Sequence, residues 1–430
     1  MTMNYTYNFT PEFSMPIQLV GNRFTWPEID SVEDTFLLKL NVEDKRLKKI
    51  IPPYLTIKSK DYVSKQYIER HNKGIRYFNI SEIAHRIQAG QIIELSSNKL
   101  KWNDDIELLI FKSNISESDK VLVIAPHPDD AEIAAYGFYS THDTYIVNIT
   151  AGEGGNIDYC QSYSKSSMEQ RLMRAKLRIL DSITVPLLAG INPQRVINLG
   201  YFDSTLKDMY SNPDIVFTSK HTGVSDINIF RRLNLSNLVQ SCTGKATWKN
   251  LIADLKALLK RVKPSIIVMP HPLLERHSDH CFGSLAVLEA LIKSKLKQGQ
   301  FFFYVMHPIG IPGYPFGPKH SPVTVPPNFR DFAIQYGVYS YQLSRKLQME
   351  KSFAMDNMRD LREAPDHMCS IKKAVKQGLH KKLKRYRHIN AWHNYFRKAI
   401  RSNELFLTVP YDLGKSLIEI VKSELELCVQ

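Results

Sequence analysis

Val121-Leu-Val-Ile-Ala125 runs directly into Pro126-His127-Pro128-Asp129-Asp130-Ala131-Glu132. The first five residues read as a buried strand. The next seven place an imidazole and three carboxylates where such a strand meets solvent. Acids this close together call for a cation. In a turn fixed by Pro128, His127 and Asp130 can converge on one metal while Asp129 points elsewhere, free to act as a base. The residues alone leave a second reading open, an ordinary surface loop.

Further buried-looking strands follow at 145–150, 195–199, 265–269 and 301–306, alternating with helical stretches near 168–180 and 248–262. Such alternation predicts an α/β fold: a Rossmann-like, mostly parallel sheet with helices on both faces. Ligands then bind just beyond the carboxyl ends of the strands. A second cluster stands at such an end. Ser265-Ile-Ile-Val-Met269 leads into Pro270-His271-Pro272 and then His277-Ser278-Asp279-His280. His277 and His280, three apart, share one face of a helical turn. Two histidine and aspartate clusters, each after a strand of one sheet, are a much stronger signal than either alone.

Around this centre we expect three regions. Residues 1–114 carry short alternating or β-rich runs (35–40, 54–58, 75–80, 92–97, 106–112), with one helix near 81–89, and read as a small antiparallel sheet domain. Residues 120–345 form the catalytic α/β domain. Residues 346–430 read as a basic helical tail packed on it, with a break at Pro365.

The chain of 430 residues is 43% hydrophobic and 23% charged, ordinary for a folded protein. Neither a leader peptide nor an apolar run of about 20 residues is evident, so a cytoplasmic location is expected, peripheral to the inner face of a membrane as an extension. Five scattered cysteines, with no CxxC spacing, indicate neither a disulfide framework nor a cysteine zinc site. The net charge of +14 is concentrated in 371–401, where eleven Lys and Arg residues occur with no acid. That stretch suits a phosphate-bearing ligand or an anionic membrane surface; a solvated helix face explains it equally well.

Taken together, HPDDxE after the first strand, Thr150-Ala151-Gly152-Glu153 after the second, Leu199-Gly200-Tyr201-Phe202-Asp203-Ser204, and His277-Ser278-Asp279-His280 resemble the PIG-L (LmbE-like) family of zinc-dependent N-deacetylases. The resemblance covers roughly 121–354. It implies His127, Asp130 and His280 as zinc ligands, with Fe2+ as the alternative ion, Asp129 as general base, and His277 with Asp279 as a charge-tuned pair. Two imidazoles and one carboxylate leave zinc a position for water, and a protonated His277 would then stabilise the oxygen of the attacked amide. By the same resemblance Asp203 faces sugar hydroxyls and Glu153 lies near the substrate, although a turn explains either residue as well. Glu132, His271 and His307 are expected to be structural. The 168–175 stretch departs from the family's usual glutamate and arginine placement, with its charges rearranged.

The expected activity is therefore removal of an acyl group, usually acetyl, from an amino sugar or its conjugate, in glycan or cell-envelope polysaccharide synthesis. The alternatives are amide hydrolysis on a thiol conjugate or antibiotic precursor, and an inactive scaffold that binds carbohydrate or nucleic acid. The intact set Asp129, Asp130, His277 and His280 argues against the inactive scaffold, so nucleic acid is not the expected partner.

Overall fold

A computed structural model describes residues 3–29, 34–44, 52–70, 73–98, 100–113, 115–155, 160, 163–238, 243–311, 313–361 and 395–427. The basic run at 371–394, Pro365 and Asn156 lie outside the described residues. Among the described residues, ten strands lie before residue 115: β1 (Asn8–Phe9), β2 (Phe13–Ile17), β3 (Arg23–Thr25), β4 (Thr35–Asp44), β5 (Tyr54–Lys58), β6 (Val63–Tyr67), β7 (Lys73–Asn79), β8 (Ile92–Ser97), β9 (Leu100–Trp102) and β10 (Ile106–Phe111). They make two antiparallel sheets, β2-β10-β4-β7 with β9 on β4, and β3-β8-β5-β6. The expected helix is a single turn, Ser81–Ala84.

Alternation along β4 shows how these sheets are used. Phe36, Leu38, Leu40 and Val42 enter a core shared by the two sheets. Leu37, one residue out of phase, faces the other way with Tyr77, Leu109 and Phe111 and joins the main core of the molecule. One sheet is thus buried on both faces. A polar seam accompanies it: Asn79 Nδ2 donates to Ser340 Oγ (2.7 Å), and Ser340 N donates to Thr35 Oγ1 (2.8 Å).

The remaining strands are β11 (Lys120–Ala125), β12 (Asp143–Thr150), β13 (Val196–Tyr201), β14 (Ile266–Pro270), β15 (Gln300–Tyr304), β16 (Gln335–Gln342) and β17 (Asn403–Pro410). With β1 they form one sheet, β1-β16-β17-β15-β14-β11-β12-β13. Only the two pairings of β17 are antiparallel. The helices used below are α1 (Asp130–Tyr139), α2 (Ser167–Thr184), α3 (Trp248–Val262), α4 (Ser278–Ser294), α5 (Arg345–Asn357) and α6 (Gly414–Leu427). From β11 the chain builds outward to β12 and β13, then returns to place β14 and β15 on the other side. The strand order therefore reverses between β11 and β14, where loops from the two strands part and leave a crevice at their carboxyl ends.

One expectation is corrected. The tail is not wholly helical, because β17 lies inside the sheet between β15 and β16. Its apolar run Leu405-Phe-Leu-Thr-Val409 is too short for periodicity to separate strand from helix. Strand β1 extends the large sheet alongside β16.

Strand β17 also supports the helix that carries Asp130. Inside α1, Ala135 leaves helical geometry (φ −143°, ψ 18°). Beyond this kink, the N–H groups of Gly137 and Phe138 donate to the Glu404 carboxylate at 3.0 and 2.8 Å. Lys351 of α5 neutralises Glu404 at 2.7 Å, and both side chains are buried. Replacing Glu404 with Ala strands a buried ammonium and two N–H groups. We expect a loss of about 3–5 kcal/mol in urea unfolding; a change within about 0.5 kcal/mol, the scale of a surface substitution, would contradict this role.

Candidate metal and active site

The loops after β11 and β14 meet at the strand-order reversal. His127 O accepts from the N–H groups of both Asp129 (2.8 Å) and Asp130 (3.2 Å), closing the turn. Asp130 Oδ2 in turn accepts from His127 N at 2.8 Å. The same oxygen lies 3.2 Å from His127 Nδ1 and 3.3 Å from His280 Nε2. His127, Asp130 and His280 are thus brought together, each less than a tenth exposed. His277, the N-cap of α4, stands beside them, its ring centroid 4.7 Å from that of His127 and 5.2 Å from that of His280.

The site is rich in negative charge. On the far side of His127, Nε2 lies 3.4 Å from Asp279 Oδ2 and 3.7 Å from Asp203 Oδ1. Burial opposes protonation of His127, but hydrogen bonds to Asp130, Asp203 and Asp279 outweigh it and raise its pKa. Burial likewise opposes protonation of His280, yet Asp130 and Glu275 push it up to about 9. In both cases an imidazolium supplies the positive charge that the carboxylates demand. Among the described residues, donor atoms of His127, His277 and His280, and of His127, Asp203 and Asp279, lie within 4.8 Å of one another. Buried imidazoles and carboxylates in excess of fixed cations are a donor set that fits a divalent metal.

Among the described residues, His277 and Asp279 meet through a backbone hydrogen bond rather than a side-chain one. The Asp279 carboxylate accepts from Ser204 N (2.6 Å) and Leu206 N (3.3 Å), while its backbone N–H donates to His277 Nδ1 (3.2 Å). As α4 begins at Ser278, the helix turns the carboxylate toward β13's exit, from where its charge still favours protonation of His277. Burial, then the neighbouring His127 and His280, hold His277 below its usual pKa.

Asp203 faces His127 and accepts from Gly154 N (3.1 Å) and Ser204 Oγ (3.0 Å). Ser204 adopts φ +62°, a strained setting for a residue with a side chain. Asp129, at the N-cap of α1, has Oδ1 2.6 Å from Arg178 Nη2. Burial raises its pKa, with Arg178 opposing. Glu132 is buried under Tyr139 Oη, and His271 is a core histidine bonded to Tyr336 Oη at 2.8 Å. His307 reaches the site's edge, its ring 5.8 Å from that of His280.

Two residues at the site escape the sequence reading. Glu275 Oε2 lies 3.2 Å from His280 Nδ1, and its other oxygen takes Met306 N, fixing the ring that faces Asp130. Arg178 emerges from the middle of α2. Glu275's only sequence signal is an acid in the loop after β14; Arg178 looks like any charge on an amphipathic helix.

Glu153 is fully buried and spends its oxygens on Asp203 N (3.1 and 3.2 Å) and Ser219 Oγ (2.8 Å). It holds the Asp203 turn in place. Burial and the Asp203 charge raise its pKa from 4.5 to about 7, so the fold binds this proton more tightly than the unfolded chain does. The resulting stability is complete below pH 4.5 and is lost as pH rises toward 7. Glu153→Gln removes that dependence. Its stability relative to wild type, from unfolding midpoints, should therefore improve between pH 4.5 and 7; a flat or opposite trend would contradict the assignment.

Residues 122–291 match the family model described as PIG-L: GlcNAc-PI de-N-acetylase. A search of curated proteins finds no match. Among solved structures the chain is similar to GalB, the 4-carboxy-2-hydroxymuconate hydratase of Pseudomonas putida KT2440, at 12% identity over 67% of this chain and 95% of that one, with a TM-score of 0.33. It is also similar to a family two carbohydrate esterase from Cellvibrio japonicus, at 11% identity over 72% of this chain and 91% of that one, with a TM-score of 0.19. The matched segment runs from β11 to the body of α4 and so contains both loops that build the site. That segment, residues 122–291, is therefore similar to the PIG-L (LmbE-like) family.

Proposed function

We propose that the chain is a metal-dependent hydrolase that cleaves the N-acyl amide, above all N-acetyl, of an amino sugar or amino-sugar conjugate. The observation that carries this reading is the meeting of His127, Asp130 and His280 at the strand-order reversal, with Asp129 beside them, inside the segment that matches a de-N-acetylase family. His127, Asp130 and His280 would hold the ion, zinc by preference, with ferrous iron compatible with the same donors. When bound, it supplies Lewis acidity that acidifies a water and polarises the acyl carbonyl.

The chain's own groups account for the remaining chemistry. One Asp129 oxygen is held by Arg178, and the other is the acceptor for the proton of the attacking water. That proton is later returned to the departing amine, so that water is divided between an acid and a free amino sugar. Because His277 Nδ1 accepts the Asp279 N–H, the ring proton sits on Nε2, and His277 acts as a neutral donor to the developing oxyanion. Asp203 lies against His127, and in this reading it would meet a sugar hydroxyl. Glu153 acts behind Asp203.

In this reading residues 120–345 are the catalytic unit, residues 1–114 an accessory β module, and residues 346–430 a region packed against the catalytic unit. The substrate belongs to glycan or cell-envelope synthesis in the cytoplasm, and the chain's positive charge suits one that bears phosphate. Among the described residues no helix is long and apolar enough to cross a membrane; attachment to an anionic surface would depend on charge.

The test combines elemental analysis with acetate release from a panel of N-acetylamino sugars and their nucleotide conjugates, for wild type and His280→Ala. About one zinc per chain, lost in the variant together with acetate release, is the expected result. A wild type that binds no metal and releases no acetate after zinc is added would refute the proposal.

A further inference from the structure

We propose that Asp360, from the C-terminal part of the chain, is a positioning residue for Asp129 and acts through Arg178. The functional part of this inference rests on the deacetylase reading, in which Asp129 is the base. The contact network stands without it.

Arg178 is buried, and its guanidinium lies against three partners from different parts of the chain. Nη1 donates to Gly152 O at 3.1 Å, Nη2 lies 2.6 Å from Asp129 Oδ1, and Nε lies 2.8 Å from Asp360 Oδ2. One side chain thus ties together the turn after β11, the bend after β12 and a turn near the C-terminal end of α5. The bend is shaped to admit it. Gly152 has φ +63°, and a Cβ there would fall 2.3 Å from Arg178 Nη1 and 3.1 Å from Pro128 Cδ.

Arg174, one helical turn earlier, also pairs with Asp360 and donates to Gly152 O. Among the described residues, two guanidiniums therefore face two carboxylates, a buried quartet whose formal charges cancel. Of the charges noted at 168–175, Arg174 finds its partner here. Asp360 is itself fixed: in the turn Arg359–Leu361, Arg359 N donates to Asp181 Oδ2 (3.0 Å), the Arg359 side chain pairs with Asp181, and Leu361 is buried.

This geometry sets how Arg178 holds Asp129. With Nε turned to Asp360, one nitrogen reaches Asp129, and Oδ2 of Asp129 has no hydrogen-bond partner among the described residues. If Asp360 lost its charge, the guanidinium would be free to swing and grip both oxygens of Asp129 in the bidentate mode that arginine and carboxylate favour. The oxygen that a base needs would then be occupied. Asp360 keeps it open.

The experiment uses the full-length metal-loaded protein and the N-acetylamino sugar that wild type turns over best. Asp360→Asn should lower kcat about 10–100-fold with KM and metal content unchanged, and Asp360→Glu should recover part of the loss. Should Asp360→Asn fold poorly, Arg174→Gln combined with Asp360→Asn keeps the quartet neutral and should show the same kcat defect. Full kcat in either variant, or a defect explained by lost metal or raised KM, would overturn the proposal. A double-mutant cycle of Asp360→Asn with Asp129→Asn, read by urea unfolding, is independent of catalysis. Non-additive effects are expected, and strict additivity would overturn the network even if no substrate were found. A wild type that turns over nothing in the panel while the cycle is non-additive would sink the deacetylase reading and the base-positioning role with it, and leave the network standing.

Discussion

Buried negative charge at the strand-order reversal is the constraint on which the rest of this structure depends. Asp129, Asp130, Asp203, Glu275 and Asp279 all surround two imidazoles out of contact with bulk water, where an uncompensated carboxylate is costly. The fold answers four of them with backbone N–H groups: His127 N for Asp130, Gly154 N for Asp203, Ser204 and Leu206 N for Asp279, and Met306 and His307 N for Glu275. Asp129 receives Arg178 instead. At the centre the same carboxylates raise the pKa values of His127 and His280 against the cost of burial.

The architecture follows from where those donors must come from. The reversal of strand order between β11 and β14 brings two loops together, and the exit of β13 adds Asp203 and Ser204. Regions outside the sheet's parallel core then stiffen what carries the site. Glu404 of β17 takes the freed N–H groups of α1, and the turn at Asp360 reaches Arg178 on α2. Even the β-rich N-terminal part is continuous with this body through β1 and through the outward face of the sheet that contains β4 and β10.

Much of this is legible in the sequence because it is local. Apolar runs such as Val121–Ala125 and Ser265–Met269 announce strands, and the residues that immediately follow them announce the site. What escapes is what depends on chain far away. Arg178 and Asp360 are 182 positions apart by number, and nothing near either identifies its partner. For His277 and Asp279 the sequence shows the neighbours but not the route of contact: the backbone N–H of Asp279 donates to His277, while its carboxylate turns to Ser204 and Leu206. For β17, four apolar residues interrupted by Thr408 give too short a pattern to reveal a strand.

The most direct test of the account is anomalous diffraction from crystals grown with zinc. The account predicts one strong peak at the reversal of strand order, about 2 Å from a ring nitrogen of His127, a ring nitrogen of His280 and an oxygen of Asp130. A peak bound elsewhere, or no peak with these three side chains still packed on one another, would contradict it.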